Sequence, residues 1–189
     1  MEAENQQLKQ QIHPHFLFNS LLTLKILIDN DHSIAKDYII YLSDFLRVSL
    51  SSDNSNLVKI KDELKFCLDF LSIQKIRHID ELHYNINIPD EIQNSGYVPT
   101  FSIQQLIENS IKHNTFSKQK PLNINIIHEK DRITVINNVQ KKYKQEISTG
   151  IGLKNISERY RILSGDKVLI NETDNTYSVS IKILSHYKI

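Results

Sequence analysis

Apolar residues recur at helical spacing through the first fifty positions of the chain. From about Glu4 to Ile28 they follow steps of three and four residues, which predicts an amphipathic helix. Pro14 interrupts this helix because it has no N–H to donate, so a kink or a restart is expected there. A second helix is predicted from Ser33, the expected N-cap, as far as the polar run 51–55. The apolar face of the second helix carries Ile34, Tyr38, Tyr41, Leu42, Phe45 and Val48.

The two helices form a hairpin, assigned to residues 1–55, that is too small to bury a core of its own. Its apolar residues lie on more than one face and include Leu21, Leu27, Ile39, Ile40 and Leu46. Pairing with a second copy of the chain would complete a four-helix bundle, whereas packing on the downstream residues would leave a monomer. The spread of apolar positions favours the homodimer.

A different pattern, in which short strands alternate with helices, fills residues 56–189. Helices are predicted at 61–77, 101–113 and 154–163, and strands at 82–88, 122–127, 132–137, 168–172 and 177–184. The residues expected to be buried in the 61–77 helix are Leu64, Cys67, Leu68, Leu71 and Ile76. Gly165 suits the end of the last helix. Mostly antiparallel strands, with helices grouped on one face, predict an α+β fold in this second domain.

Composition and charge exclude several classes of function. The chain has 189 residues, 40% of them hydrophobic and 24% charged, with a formal net charge of +1, so no basic face indicates nucleic-acid binding. Cys67 is the single cysteine, which excludes an internal disulfide and fits a reducing compartment. No apolar run approaches the ~20 residues that span a bilayer. The opening, Met1 to Gln10, reads as a helix already in progress, so we expect a sensor or membrane segment upstream.

A proline between two histidines marks the first helix. By themselves, these residues fit either a reactive imidazole beside an irregular backbone or a surface helix with an incidental proline. The run Gln-Ile-His-Pro-His-Phe-Leu-Phe-Asn-Ser at residues 11–20 resembles the phosphoacceptor segment of LytS-type sensor histidine kinases. In that family the histidine after the proline receives the phosphoryl group, so the resemblance assigns this role to His15 and none to His13. An unperturbed imidazole, with a pKa of ~6.5, is largely neutral and nucleophilic near pH 7.

A second polar motif lies on the helix predicted at 101–113. Asn109 and His113 are one turn apart on the same helix face, with Lys112 beside them. An amide oxygen suits Mg²⁺, and the two cations suit phosphate, although a solvated helix face would show the same residues. The run 106–113 resembles the N box of the GHKL ATPase superfamily. That resemblance implies that Asn109 binds Mg²⁺, that Lys112 and His113 face phosphates, and that Glu108 is the acid nearest the reaction.

A glycine-rich turn precedes the helix predicted at 154–163. Two of the four glycines in the chain, Gly150 and Gly152, lie there, where the backbone of a turn and a helix N-terminus can approach an anion. A lone Gly-x-Gly is often only a turn. This one resembles the family pattern Gly-x-Gly-Leu-x-Asn…Arg, which adds Leu153, Asn155 and Arg159. Lys141, Lys142 and Lys144 just before it would form a lid over the nucleotide or a solvated charge run.

One segment departs from the family pattern. Where the family has Asp-x-Gly-x-Gly after a strand, with the Asp accepting a bond from the adenine amine, this chain has Asn137-Asn138-Val139. Asn137 can accept the same bond through its amide oxygen, but a neutral acceptor is weaker than a carboxylate. Adenine recognition is therefore expected to be weaker by ~1–2 kcal/mol.

Together these resemblances imply the cytoplasmic catalytic core of a sensor histidine kinase, with a dimeric helical hairpin and a GHKL-type α/β sandwich that binds ATP and Mg²⁺. His15 would be phosphorylated and would pass the phosphoryl group to an aspartate of a response regulator with a LytTR-type DNA-binding domain. The full-length protein would be anchored in the inner membrane, and this chain would be soluble. A relay or phosphatase that binds ATP poorly is the alternative. Two further alternatives are less favoured. One is a metal-binding module that uses His13 and His15, and the other is a GHKL kinase that acts on serine.

Overall fold

The computed structural model describes residues 14–50, 57–140 and 151–185, without the side chains of residues 14, 15, 50 and 151. The helices are α1 (Pro14–Asn30), α2 (His32–Leu50), α3 (Ile60–Arg77), α4 (Asp90–Ser95), α5 (Ser102–His113) and α6 (Ile151–Ser164). The strands are β1 (Leu57–Lys59), β2 (Leu82–Asn87), β3 (Tyr97–Pro99), β4 (Leu122–Glu129), β5 (Arg132–Asn138), β6 (Leu169–Glu172) and β7 (Thr176–Lys182). The α+β prediction, with an N-terminal pair of helices followed by an α/β region, is confirmed.

The chain divides into two compact units. The first comprises Met1–Asn54 and Leu68–Arg77, and the second comprises Ser55–Cys67 and His78–Ile189. Helix α3 therefore contributes its first residues to the second unit and the rest to the first. A single cut near residue 56 does not describe this sharing of one helix, and the extent of the domains, 1–55 and 56–189, stays a prediction.

The turn between α1 and α2 is built on Asp31. Its carboxylate oxygen Oδ1 accepts hydrogen bonds from the backbone N–H groups of Ser33, at 3.0 Å, and Ile34, at 3.1 Å. Asp31 is therefore the cap of α2, and the prediction that Ser33 caps this helix is wrong. A carboxylate oxygen at a helix N-terminus accepts from two free N–H donors, and its negative charge interacts favourably with the positive end of the helix dipole. A serine hydroxyl is neutral and lacks this second contribution. Helix α1 ends at Asn30, two residues beyond the predicted Ile28.

Burial along α2 and α3 follows the predicted stripes in part: Ile34, Tyr41 and Ile76 are half-buried, and two predicted apolar-face residues are exposed. Tyr38, Leu42 and Phe45 are buried in α2, but Val48 is 41% exposed. In α3 the predicted core residue Leu68 is also 41% exposed and Ile76 is half-buried, whereas the buried apolar residues are Ile60, Leu64, Phe66, Cys67, Phe70, Leu71 and Ile73. Val48 and Leu68 lie at the border between the buried and the exposed face of their helices. A spacing of three to four residues does not define that border sharply, so both were assigned to the buried face.

The second unit is built on a five-stranded sheet of order β2-β4-β5-β7-β6. Strands β2 and β4 are parallel and the other neighbours are antiparallel, so the prediction of mostly antiparallel strands is confirmed. The crossover from β2 to β4 carries α4, β3 and α5, as a parallel pair requires. Strands β1 and β3 form a separate two-stranded sheet. These two strands and α4 were not predicted, because elements of three and six residues show too little periodicity.

One face of the large sheet carries the core of the second unit. Ile124 and Ile126 of β4 and Ile133 and Val135 of β5 are buried on this face, and the register places Asn137 on it as well. Helix α5 packs on β4 and β5 and against α6. Its buried residues are Ser102, Ile103, Gln104, Leu106, Ile107 and Ser110. Gly165 ends α6 with a φ of 73° and donates its N–H to the carbonyl of Arg161 at 3.1 Å, which confirms the predicted stop.

No helix within residues 14–50, 57–140 and 151–185 is both long enough and apolar enough to cross a bilayer.

Candidate functional site

Helix α5 carries four of the predicted site residues. Asn109 is half-buried, whereas Lys112 and His113 are exposed at the C-terminal end of the helix. Glu108 accepts a hydrogen bond from Gln104 Nε2 at 3.2 Å, which holds its carboxylate along the helix. The helix thus offers a half-buried amide and, at its rim, the Lys112 ammonium and the His113 imidazole, which suits a cation together with phosphate groups.

The N-terminus of α5 is capped from another helix. Glu63 of α3 is only 2% exposed, and its carboxylate accepts from the backbone N–H groups of Phe101, Ile103 and Gln104, at 2.9, 3.0 and 3.3 Å. Burial raises the pKa of Glu63 to about 7, against the opposing effect of these three hydrogen bonds and of the Arg159 charge. Glu63 was not predicted as a site residue. Its signal was an acid four residues before buried Cys67, on the apolar face of the helix.

The C-terminal end of α5 is tied to the segment that follows β5. Asn114, also buried and also missed, donates from Nδ2 to the carbonyl of Ser110 at 2.8 Å and accepts from the N–H of Gln140 at 2.7 Å. The Thr115 N–H donates to the carbonyl of Gln140 at 2.9 Å. These bonds bring the end of β5, which carries Asn137, beside the end of α5.

Asn137 is 2% exposed, and its side-chain amide is oriented by one neighbour. Its Nδ2 donates to the backbone carbonyl of Asn138 at 2.8 Å, which leaves Oδ1 as the acceptor of this amide. Asn138 is structural, since Nδ2 donates to the Pro121 carbonyl at 3.0 Å and Oδ1 accepts from the Asn123 N–H at 2.8 Å. The second asparagine of the departing segment therefore holds β5 to the start of β4.

The second predicted motif lies in α6. Gly152, Leu153 and Asn155 are all helical, so the expectation of a turn up to residue 153 is wrong from Ile151 onward. A Cβ on Gly152 would lie 2.5 Å from Gln105 Nε2, and this close approach of α5 and α6 explains a glycine inside the helix. Gln105 is one turn before Asn109, so the start of α6 meets α5 next to the candidate Mg²⁺ ligand. Gly150 lies outside the described residues.

Other predicted groups fall wholly or partly outside the described part of the chain. Lys141, Lys142, Lys144 and His13 belong to undescribed segments, and of His15 only the helical backbone is described. Within the described ranges no three His, Cys, Asp or Glu side chains gather as a metal site. A Mg²⁺ ion on Asn109 would take its other ligands from phosphate and water, which is the usual way that proteins hold this ion.

The residue that follows His15 is anchored in the first unit. The ring of Phe16 lies 5.1 Å from that of Phe45 and 5.8 Å from that of Phe70, and these last two are 5.7 Å apart. Tilted aromatic contacts at these separations stabilise packing beyond the area buried. The cluster sets how α1 is rotated about its axis at the position next to the predicted phosphoacceptor.

A family model described as histidine kinase matches residues 3–82. The sensor histidine kinase BtsS of Escherichia coli is 39% identical over 114 residues, which are 60% of this chain and 20% of the relative. The sensor histidine kinase/phosphatase LytS of Staphylococcus aureus is 31% identical over 182 residues, 87% of this chain and 31% of the relative. The sensor protein LytS of Staphylococcus epidermidis is 28% identical over 203 residues, 99% of this chain and 34% of the relative. The chain spans from a fifth to a third of the length of these relatives.

Solved structures of histidine kinases are also similar. The catalytic domain of histidine kinase ThkA matches 67% of this chain and 95% of its own, with 16% identity and a TM-score of 0.48. The Acinetobacter baumannii histidine kinase AdeS matches 91% of this chain and 86% of its own, with 14% identity and a TM-score of 0.44. At these scores neither likeness bears on the site.

Proposed function

Because this chain belongs to the LytS-type sensor histidine kinases, we propose that it is a catalytic core that phosphorylates its own His15 from ATP and Mg²⁺. The observation that carries the proposal is the arrangement around α5. Asn109 lies half-buried on this helix, and the start of α6 and the end of β5 with Asn137 adjoin it. Each of the three brings a group that nucleotide binding needs: a metal ligand, a helix N-terminus for phosphate and an acceptor for the base.

In this proposal each site residue has a separate role in binding or in the reaction. Asn109 binds Mg²⁺, while Lys112 and His113 offset phosphate charge at the rim. Gly150, Gly152, Leu153 and Asn155 border the phosphates, and Glu108 is the acid nearest the reaction. Asn137 Oδ1 accepts from the adenine amine.

The reaction transfers the γ-phosphoryl group to a ring nitrogen of His15. A new N–P bond would form as the bond from γ-phosphorus to the bridging oxygen breaks, ADP would leave, and the imidazole proton would go to solvent. Catalysis then depends on positioning and on offsetting phosphate charge, with little base assistance. A response regulator would take the phosphoryl group on an aspartate. The resemblance favours a regulator with a LytTR-type DNA-binding domain and a sensor segment that holds the whole protein at the inner membrane.

Exposed apolar side chains on α1 and α2 support a homodimer. They are Phe18, Leu21, Leu22, Ile26, Ile28, Ile39, Ile40 and Val48, each at least 41% exposed in the single chain. Phe18 has the largest exposed fraction of these side chains, 72%, and many exposed apolar residues on two adjacent helices are typical of a surface that a partner covers. A second copy would bury these residues in a four-helix bundle.

Titration with Mg²⁺ and ATP in a calorimeter tests nucleotide binding directly. Asn109→Ala is expected to weaken binding by ten-fold or more, because the amide oxygen on the metal is lost. Asn125→Ala is the matched control, since Asn125 is an exposed asparagine on β4, away from α5. Equal losses for the two variants, or no binding by the unaltered chain, would contradict the proposal.

The second candidate is a dimeric relay or phosphatase that binds ATP poorly. The segment 137–140 favours it, because Val139 stands where the family pattern has its first glycine, and Asn138 and Gln140 on either side of it both donate to the Pro121 carbonyl. The printed name of the Staphylococcus aureus relative combines kinase and phosphatase. Absence of ATP binding, together with release of phosphate from a phosphorylated regulator, would favour this reading.

A further inference from the structure

Helix α5 begins in an unusual way for a helix that carries a candidate active site. Its N-cap, Phe101, has a left-handed backbone with φ 63° and ψ 13°, and no side-chain bond of its own caps the helix. Left-handed backbone is uncommon for an aromatic residue and persists only when neighbouring groups hold it. The start of α5 therefore depends on what other elements supply.

Helix α3 supplies two of these holding contacts. Glu63 bonds the N–H groups of Phe101, Ile103 and Gln104, and the ring of Phe66, one turn later, lies 5.0 Å from the ring of Phe101. Three backbone donors converge on one carboxylate, and charge-assisted bonds of this kind are about twice as strong as neutral ones. Both contacts fix the same residue from the same side.

Helix α6 supplies the third contact. Arg159 donates from Nη1 to the carbonyl of Thr100 at 2.6 Å, and its charge acts on Glu63. The titratable groups that face Glu63 are Arg159 and Tyr160 of α6 and Cys67 of its own helix. Glu63 thus lies where the starts of α3 and α5 meet the middle of α6.

The contacts around Glu63 act on the candidate site through helix α5, because this helix also carries Asn109. Asn109 is five residues beyond Gln104, which is about 7.5 Å along a helix. Gly152 meets Gln105 in between, so a shift of the first turn of α5 would move both the Mg²⁺ ligand and the helix that adjoins the phosphates.

We propose that Glu63 is a positioning residue of the kinase, one that sets the first turn of α5 and thereby holds Asn109 where it meets Mg²⁺ and ATP. This inference rests on the proposed nucleotide binding. Glutamine in its place has one acceptor oxygen, and its NH₂ group would oppose a backbone N–H, so at least one of the three bonds is lost. The cap then weakens while the volume of the side chain stays the same.

Titration of ATP at pH 8, with and without Mg²⁺, tests this role in the full chain. Glu63→Gln is expected to weaken binding in the presence of Mg²⁺ about ten-fold, and to change Mg²⁺-free binding much less. Asp62→Asn is the matched control, because Asp62 is an exposed acid in the same helical turn, and it should bind within two-fold of the unaltered chain. A folded Glu63→Gln protein that binds like Asp62→Asn would overturn the proposal.

A double-mutant cycle separates positioning from general damage. If Glu63 acts through Asn109, Glu63→Gln should cost little more once Asn109→Ala is present, because coupled residues are not additive. Two full, additive losses would mean that Glu63 only supports the fold. Should Glu63→Gln fail to fold, Glu63→Asp serves in both tests, since it keeps a carboxylate with two acceptor oxygens on a side chain one methylene shorter, which sets them back from the three N–H groups.

Amide hydrogen exchange without nucleotide keeps the inference separate from the proposed function. The N–H groups of Phe101, Ile103 and Gln104 should exchange faster in Glu63→Gln than in Asp62→Asn. If the unaltered chain binds no ATP, the proposed function fails, and these exchange rates still decide whether Glu63 holds the helix. Equal rates at these amides in both variants would overturn the positioning role.

Discussion

Gly152 of α6 lies against Gln105 of α5, where a Cβ on the glycine would come within 2.5 Å of Nε2 and 3.2 Å of Cδ. The glycine therefore has a packing role as well as the predicted role beside phosphate. The approach is made to the end of a flexible side chain, so the glutamine can move aside where a backbone contact could not.

Gly152→Ala is expected to displace the Gln105 amide and to weaken ATP binding several-fold, with little loss of stability. The methyl group is accommodated by moving the flexible end of the Gln105 side chain, which costs little, and alanine in a helix regains ~1 kcal/mol over glycine. Adding Gln105→Ala should relieve the crowding and restore binding. Calorimetry on both single variants and the double variant measures this, and a double variant as weak as Gly152→Ala would contradict the packing role.

The pKa of Glu63 predicts how stability depends on pH. The folded value of about 7 exceeds the ordinary 4.5, so between these values the folded state holds a proton that the unfolded state releases. Stability from this group is therefore highest below the unfolded pKa, falls as pH rises toward 7, and levels off above it, by roughly 3 kcal/mol in all. Urea unfolding at pH 5 and pH 8 should show a larger loss for the unaltered chain than for Glu63→Gln. Equal losses in both proteins would mean that Glu63 titrates normally.

The apolar surface of the hairpin predicts the oligomeric state. Light scattering on the full chain should give about twice 22.1 kDa at micromolar concentration. Leu22→Lys is expected to shift the chain toward monomer, because Leu22 is 59% exposed in the single chain and a charge cannot be buried there without a partner. Lys36→Glu changes an exposed charge on α2 and should leave the dimer intact. A monomeric unaltered chain contradicts the four-helix bundle.

Asn137→Asp shows where the structure revises an expectation. The resemblance alone suggests that a carboxylate would tighten ATP binding about five-fold, since ~1.4 kcal/mol is tenfold and an ionised acceptor gains roughly 1 kcal/mol. Asn137, however, is buried and donates from Nδ2 to the Asn138 carbonyl at 2.8 Å, and aspartate cannot donate that bond. We therefore expect no gain for ATP or GTP and a stability loss of ~1–3 kcal/mol. Calorimetry and urea unfolding measure both, and a gain confined to ATP would contradict this view of the segment.

Long periodic elements were predictable from sequence because their spacing is repeated many times. Helix α3 was predicted within one residue, and the strands from Leu122 and from Arg132 were placed with their correct starts. Strands β1 and β3 were missed because three residues carry no period. The cap of α2 was misplaced by two residues because Asp31 and Ser33 both suit that role.

The candidate site was predictable where a motif is continuous in sequence and not where contacts are distant. Asn109, Lys112 and His113 share one helix, so their spacing alone places them together. Glu63 lies 38 to 41 residues from the amides that it bonds, and no local sequence pattern predicts a contact over that separation. The one sequence signal for Glu63 was that an acid lies on an apolar helix face. Such an acid indicates a buried hydrogen-bond partner, but the sequence does not identify that partner.

His15 is the residue that we propose accepts the γ-phosphoryl group of ATP. Incubation of the chain with γ-labelled ATP and Mg²⁺ should label the protein with phosphate that survives base and is lost in acid, as phosphohistidine does. The label should persist in His13→Gln, the neighbouring histidine on the other side of Pro14, and should vanish in His15→Gln while ATP binding is unchanged. No label, a label that survives acid, or a label that remains in His15→Gln would contradict the account.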